Sequence, residues 1–349
     1  MTICIVNKEQ AVKQTSGVYY HRLLTPNEYI GVMEGNKVYI TTHFSTLPIH
    51  VKKEIDLVVF SKVIPFYTTP LLELEEVQRY AKAVMDIDDV WYDHEGHIMD
   101  GVFSQILKWS YPYNREHALR ELFQKVDAIT TPSKFLKGKV EEICDTPVYI
   151  LPNLIDKRQP QYKVDKVASS KFRVGYMGNA MHLHDFKVCA PALCKFIDDV
   201  GHDNVEFYYA GYNKQKGDVQ LNIVLSHLPK GFKNITAIPY TDYHNYARFY
   251  NHIDIALAPL RDIEFNWGKS ILKITEASVM GTPIIPSDVE PYSSESPYYI
   301  PKAKTHDDWY MMLMDAFKGG KSYHIRGIDV MDEESIQPRI SLYQSLTNS

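Results

Sequence analysis

The stretch spanning residues 253–292 constrains the chain most, because its residue order reads as strand, loop, helix and strand. Residues 253–257 form a short apolar run that closes before Pro259, and such runs, alternating with helical patterns, mark buried strands of a parallel sheet. The loop from Arg261 to Gly268 mixes charges of both signs with two aromatics and Asn266, a composition suited to holding a ligand. From Lys269 the spacing turns helical: Ile271, Leu272, Ile274, Ala277, Ser278 and Met280 share one small or apolar face, and Gly281 stands where a helix ends. Residues 282–285 read as the next strand.

In an open α/β sheet, the loop leaving a strand's carboxyl end brings the following helix's amino terminus to the ligand crevice. Lys269 and Ser270 are therefore expected to make a diphosphate site with the backbone N–H groups of that helix start. Glu276, two turns on, shares a face with Lys269 and Lys273, where a carboxylate can accept hydrogen bonds from both hydroxyls of a ribose. Spacing alone equally allows a solvated helix on which Lys273 and Glu276 pair.

The segment FNWGKSILKITEASVMGTPIIPSDVEPY resembles the C-terminal donor-site signature of GT-B glycosyltransferases in the glycosyltransferase 4 (glycogen synthase and mannosyltransferase-like) group. The resemblance implies that Lys269 meets the donor diphosphate, Ser270 helps to hold it and Glu276 binds the nucleotide ribose. The chain departs from the group's Glu-x7-Glu pattern, because the first Glu falls at Gly268. Contact with the donor sugar then passes to Asn266, Glu264 or the loop backbone.

With 349 residues, 45% hydrophobic and 23% charged, the chain has room for two domains of ordinary size and the make-up of a soluble globular protein. A net charge of −5 and a pI near 6.3 argue against a large basic surface for nucleic acid or anionic lipid. Cys4, Cys144, Cys189 and Cys194 make no C-x-x-C pair and read as buried thiols in a reducing compartment. No apolar run approaches the roughly 20 residues of a transmembrane helix, so a cytoplasmic protein is expected.

Residues 3–6 read as the first strand, and Gly17 either lets the backbone approach a ligand or simply makes a turn. Tyr20, Leu23 and Leu24 have helical spacing, runs 38–41 and 57–61 read as strands, and 71–82 as a helix. Asp86, Asp88 and Asp89 follow the apolar run 83–85 at a strand end, where they face an acceptor, orient neighbours or cap the next helix. A D-x-D metal site, as in the GT-A architecture, needs further ligands converging from other elements. None is identifiable, and no metal is expected. His94 and His97 lie in a charged, glycine-containing loop. Residues 116–125 form an amphipathic pattern, 128–131 a strand, and Ser133 caps a helix at 134–143.

GVYYHRLLTP, DAITTPSKFL and PVYILPNLID resemble the N-terminal domain of the same group. By that resemblance Gly17, Arg22, Asp88 and Asp89 are acceptor or cleft candidates, and His94 is the histidine placed near the donor sugar. Residues 157–171 are polar and aperiodic, as a linker is. A second domain opens at strand 172–176. His182, His184 and Asp185 superficially suggest a hydrolase metal cluster, yet the further Asp-His pair is missing. G-Y-x-G-x-x-x-H-x-x-D instead looks like the first loop of the nucleotide-binding domain, with Gly178, His182 and Asp185 near the phosphates. Strand 205–210 ends at Gly211, where the base can sit. After strand 235–238, Tyr243, Tyr246 and Tyr250 repeat at helical spacing and read as core. Helices follow at 309–318 and 333–346, the second expected to be interrupted or kinked by Pro338.

The resulting expectation is an α/β chain of GT-B architecture, two Rossmann-like doubly wound domains facing across a cleft. Residues 1–156 form the acceptor side, 157–171 the linker, 172–325 the nucleotide-sugar domain, and 326–349 a helix crossing back. The expected activity is retaining, metal-independent transfer from a nucleoside-diphosphate sugar, with no cofactor beyond that co-substrate. His94, Asn266 and Lys269 are the catalytic candidates; Gly178, His182, Gly211, Lys269, Ser270 and Glu276 are the donor-binding ones. The acceptor is a glycan, a lipid-linked or another hydroxyl, with a modified nucleic-acid base left open. A nucleotide-sugar epimerase of the same fold and a catalytically weakened nucleotide-sugar-binding protein are the alternatives.

Overall fold

Strands that are apolar along their whole length need cover on both faces, and the chain gathers them into two all-parallel sheets. The structure, a computed structural model, describes residues 1–7, 19–61, 70–90, 120–178, 182, 184–212, 219–296, 300–320 and 330–348. It divides into two compact units, the first comprising Met1–Asp156, Gly268–Ser270 and Met331–Ser349, the second Lys157–Trp267 and Ile271–Val330.

The first unit carries β1 (Thr2–Val6), β2 (Lys37–Thr41), β3 (Leu57–Ser61), β4 (Lys82–Asp86), β5 (Ala128–Thr131) and β6 (Val148–Ile150), in the order β2-β1-β3-β4-β5-β6. Ile3, Ile5, Val58, Val59, Val84 and Ile129 are fully buried along its middle. The helix before β4 spans Pro70–Val77, shorter than the expected 71–82, because Lys82 is already paired with Leu57 as the first residue of a strand. Ser133 caps the helix Lys134–Glu141, accepting from the Leu136 N–H. The last helix, Glu333–Thr347, starts at an Asp332–Ser335 capping box and runs through Pro338 without a break. Pro338, the sixth residue of the helix, lacks the N–H that would donate to the carbonyl four residues back. Of the expected helix at 116–125, residues 116–119 lie outside the described set.

The second unit carries β7 (Phe172–Met177), β8 (Val205–Tyr212), β9 (Ile235–Pro239), β10 (Ile255–Ala258) and β11 (Ile284–Pro286), in the order β11-β10-β7-β8-β9. The strand order reverses between β7 and β10, so the loops leaving these two neighbours diverge from one switch point, the usual ligand position in open α/β sheets. A short helix, Glu264–Trp267, comes first after β10, inside the expected ligand loop; the next spans Leu272–Val279, three residues later than the sequence suggests, and Gly281 beyond it takes φ +64°. Lys269 and Ser270 are drawn out of that helix by long-range bonds described below. The tyrosine repeat is only partly α-helical, over Tyr243–Tyr246, and continues as a tighter 3-10 stretch over Ala247–His252.

The four cysteines are free, three buried and Cys194 half-buried. Burial pushes the Cys4 thiol up to about 12, so it is inert as a nucleophile. Among the described residues no helix is long and apolar enough to cross a membrane.

Candidate active site

At the switch point of the second unit the loops after β7 and β10 are joined by one carboxylate. Asp185, 1% exposed, accepts from His182 Nδ1 at 2.9 Å through Oδ2. Its Oδ1 accepts from the Arg261 backbone N–H at 3.0 Å, Arg261 Nε at 3.4 Å and Asn266 Nδ2 at 2.9 Å. Burial alone would raise this carboxyl, but the bonds and charge from His182, with those from Arg261 and Asn266, bring it down to about 2. Asp185 is thus an acceptor only, and the His182 ring must carry a proton on Nδ1. The His182 carbonyl accepts from the buried Tyr176 hydroxyl at 2.6 Å, which holds the loop's backbone to β7. Asn266 donates with its amide to both Asp185 and the Arg261 carbonyl, at 2.9 Å each. Its nitrogen therefore braces the loop instead of pointing at a reacting atom.

Gly178 lies just past β7, donating to the Ala210 carbonyl at 3.0 Å and accepting from the Tyr209 hydroxyl at 3.1 Å. A side chain there would strike the Tyr176 hydroxyl at 2.7 Å, so only glycine fits. Gly211 has φ +108° where the β8–β9 register shifts, a bulge that L side chains rarely adopt.

Glu276 overturns the solvated-helix alternative, being 2% exposed on the Leu272–Val279 helix. Its Oε2 accepts from the Tyr250 hydroxyl at 3.1 Å, and burial holds its carboxyl well above the ordinary range. Lys273, on the same helix, places Nζ 5.8 Å from the Tyr176 ring centroid.

The first unit holds the residues just before that helix. Lys269 Nζ pairs with Asp89 at 2.6 Å, and Ser270 Oγ accepts from Asn153 at 2.7 Å. A Cβ at Gly268 would come within 2.6 Å of Val90 Cγ2 and 3.2 Å of Leu136 Cδ2, so the glutamate of the Glu-x7-Glu pattern has no room here. Arg22 is fully buried and binds Asp86 through Nε at 2.9 Å and through Nη2. It also donates to the Leu151 carbonyl at 2.7 Å, while Thr130 donates to Asp86 at 2.6 Å. Burial disfavours the Arg22 charge, yet Asp86, with Asp88 adding to its field, raises its pKa above the ordinary value. Asp86 and Asp89 are thus committed to cations of the protein. Among the described residues no group of three or more His, Cys, Asp or Glu is placed to hold a metal ion.

Gly17 and His94 lie outside the described residues. The sequence places Asp185 near the phosphates without showing that it ties two loops together, marks Arg261 only as the first residue of the ligand loop, and marks Tyr250 only as core. Arg261 was visible as the charged residue directly after Pro259-Leu260, at the mouth of β10; Tyr250 carried no signal beyond its spacing.

No family model matches the sequence, and no curated protein matches it. Solved structures share the fold. Sucrose-phosphate synthase of Thermosynechococcus elongatus aligns at TM-score 0.68 and 10% identity, over 100% of this chain and 99% of that one. A Listeria monocytogenes protein assigned as a UDP-N-acetylglucosamine 2-epimerase aligns at 0.56 and 14% identity, over 99% and 95%. The pneumococcal O-GlcNAc transferase GtfA, solved with UDP and GlcNAc, aligns at 0.56 and 13% identity, over 84% of this chain. This chain spans 57% of the length of GtfA. The fold class is that of the GT-B proteins, α/β with two parallel-sheet units. Identities this low carry the fold and no more.

Proposed function

We propose that the chain is a retaining, metal-independent glycosyltransferase of the glycosyltransferase 4 type, moving a sugar from a nucleoside-diphosphate donor to a hydroxyl of a glycan or lipid-linked acceptor. The observation that carries this is the buried Glu276 carboxyl on the Leu272–Val279 helix, inside the stretch that resembles the donor-site signature. That carboxyl already accepts from Tyr250, and a ribose diol offers hydroxyl donors of the same kind. In the reaction, the bond from the anomeric carbon to the diphosphate breaks as the acceptor hydroxyl oxygen bonds to that carbon, and the hydroxyl proton leaves on the departing phosphate. Charge builds on the departing phosphate, and Lys269 is the cation the motif assigns to it. In the free protein Lys269 is held by Asp89, so engaging a diphosphate exchanges one anion for another. The free thiols suit the cytoplasm, where nucleotide sugars are at hand.

Likeness to the assigned epimerase favours a second reading, in which the donor sugar is isomerised with no acceptor. Incubation with a panel of nucleoside-diphosphate sugars, with and without glycan and lipid-linked acceptors, separates the two. The transferase reading expects nucleoside diphosphate release with sugar on the acceptor. An isomerised donor in the acceptor-free sample supports the epimerase, and binding without turnover supports a nucleotide-sugar-binding protein. Calorimetry of nucleoside diphosphate in excess chelator tests the metal. Affinity that vanishes with chelator and returns with Mg²⁺ or Mn²⁺ would overturn metal independence.

A further inference from the structure

We propose that Asp185 is the positioning residue of the donor phosphate site, holding His182 and Arg261 together so that imidazole and guanidinium act as one anion-binding pair in the second unit. This rests on the glycosyltransferase reading above and gives Asp185 a specific task there, tying in Arg261, which the sequence motif leaves without a role.

The argument is one of topology and satisfied bonds. His182 comes from the loop after β7 and Arg261 from the loop after β10, the two strands at the switch point. These loops are free to diverge, and Asp185 ties one to the other with four hydrogen bonds, three of them to residues of the second loop. Binding the backbone N–H of Arg261 fixes where the second loop begins. The bond from His182 Nδ1 to Asp185 favours a proton on that nitrogen, and the carboxylate beside it favours the imidazolium, the form that binds an anion. A cation pair held this way meets a diphosphate without reorganising, which is where charge stabilisation is worth most. The other titratable groups beside Asp185 are Tyr176, Cys189 and Tyr292, each with its pKa raised by burial first and by neighbouring charge second. They stay neutral near pH 7.

The test uses inorganic pyrophosphate, which has phosphates and no ribose, beside ADP, GDP, UDP, CDP and dTDP. In the full chain, Asp185→Asn should weaken pyrophosphate binding by about tenfold or more. In a His182→Ala background the same change should cost clearly less, because Asp185 acts partly through that ring. Nitrogen-15 shifts of the His182 ring should show the proton on Nδ1 in the unaltered protein and a mixed tautomer in Asp185→Asn. Should Asp185→Asn not fold, the tautomer of the unaltered protein and pyrophosphate binding by His182→Ala remain, the ring being only partly buried. A predominant Nε2–H tautomer, or a His182→Ala chain that binds pyrophosphate as before, overturns the inference. So does a full, additive Asp185→Asn penalty in the His182→Ala background. Each of these leaves the transferase reading standing when the nucleoside diphosphates bind. A protein that takes neither pyrophosphate nor any of the five nucleotides overturns both.

Discussion

Glu276 and Tyr250 show how much a single buried carboxyl can be made to say. The Tyr250 hydroxyl reaches Glu276 at 3.1 Å, and burial raises the Glu276 pKa. A raised folded-state value gives stability that is fully present below the unfolded carboxyl pKa and is lost as pH rises through the folded one. Glu276→Gln copies the protonated form. It should match the natural protein in melting temperature near pH 4 and exceed it by pH 8. Its ligand affinity should move the other way. Charge-assisted bonds to a ribose are worth about 1.5–3 kcal/mol each, so binding of a ribonucleoside diphosphate should fall on the order of tenfold. A 2′-deoxy nucleotide already lacks one contact and should lose less. Equal losses for both nucleotides would remove Glu276 from the ribose.

At the scale of elements, what the sequence discloses depends on how local the cause is. β5 spans Ala128–Thr131 and Ser133 caps the next helix, both as the residues suggest, because an apolar run and a following cap are neighbours in sequence. The start of the Leu272–Val279 helix is misread, since Lys269 and Ser270 are held by Asp89 and Asn153, more than a hundred residues away. Tyr250 was read as core because its spacing is apolar in character, while its hydroxyl finds Glu276 only through the fold. Gly268 is the clearest case: the missing glutamate has no explanation in the sequence, and in the structure Val90 and Leu136 fill its place. Restoring the motif with Gly268→Glu should therefore lower stability, by about 1–3 kcal/mol as overpacking does, and should not raise turnover. Val90→Ala in the same chain should recover part of the loss. Thermal melts of the natural protein and the two variants decide this, and an unchanged melting temperature for Gly268→Glu would refute the steric account.

The whole molecule is not two consecutive halves, because the first unit is closed by the chain's last segment. Met331–Ser349 belongs with Met1–Asp156, and the Met331 N–H donates to the Ile155 carbonyl at 2.9 Å. The helix Glu333–Thr347 buries Ile336, Ile340, Leu342 and Tyr343, together with the Arg339 guanidinium, whose Nη1 donates to the Tyr343 hydroxyl at 3.1 Å. Four such apolar side chains at roughly 1.5–3 kcal/mol each amount to about 6–12 kcal/mol as an upper estimate. That is comparable to the entire stability of an ordinary domain of roughly 5–15 kcal/mol. A chain ending at Val330 should accordingly lose the first unit while the second, whose core draws on β7 to β11, keeps its sheet. Hydrogen exchange should show β1, β3 and β4 unprotected in the truncated chain and β7 and β10 still protected. Protection retained in β1, β3 and β4 would mean that the last helix merely covers the first unit and that its core is complete without it.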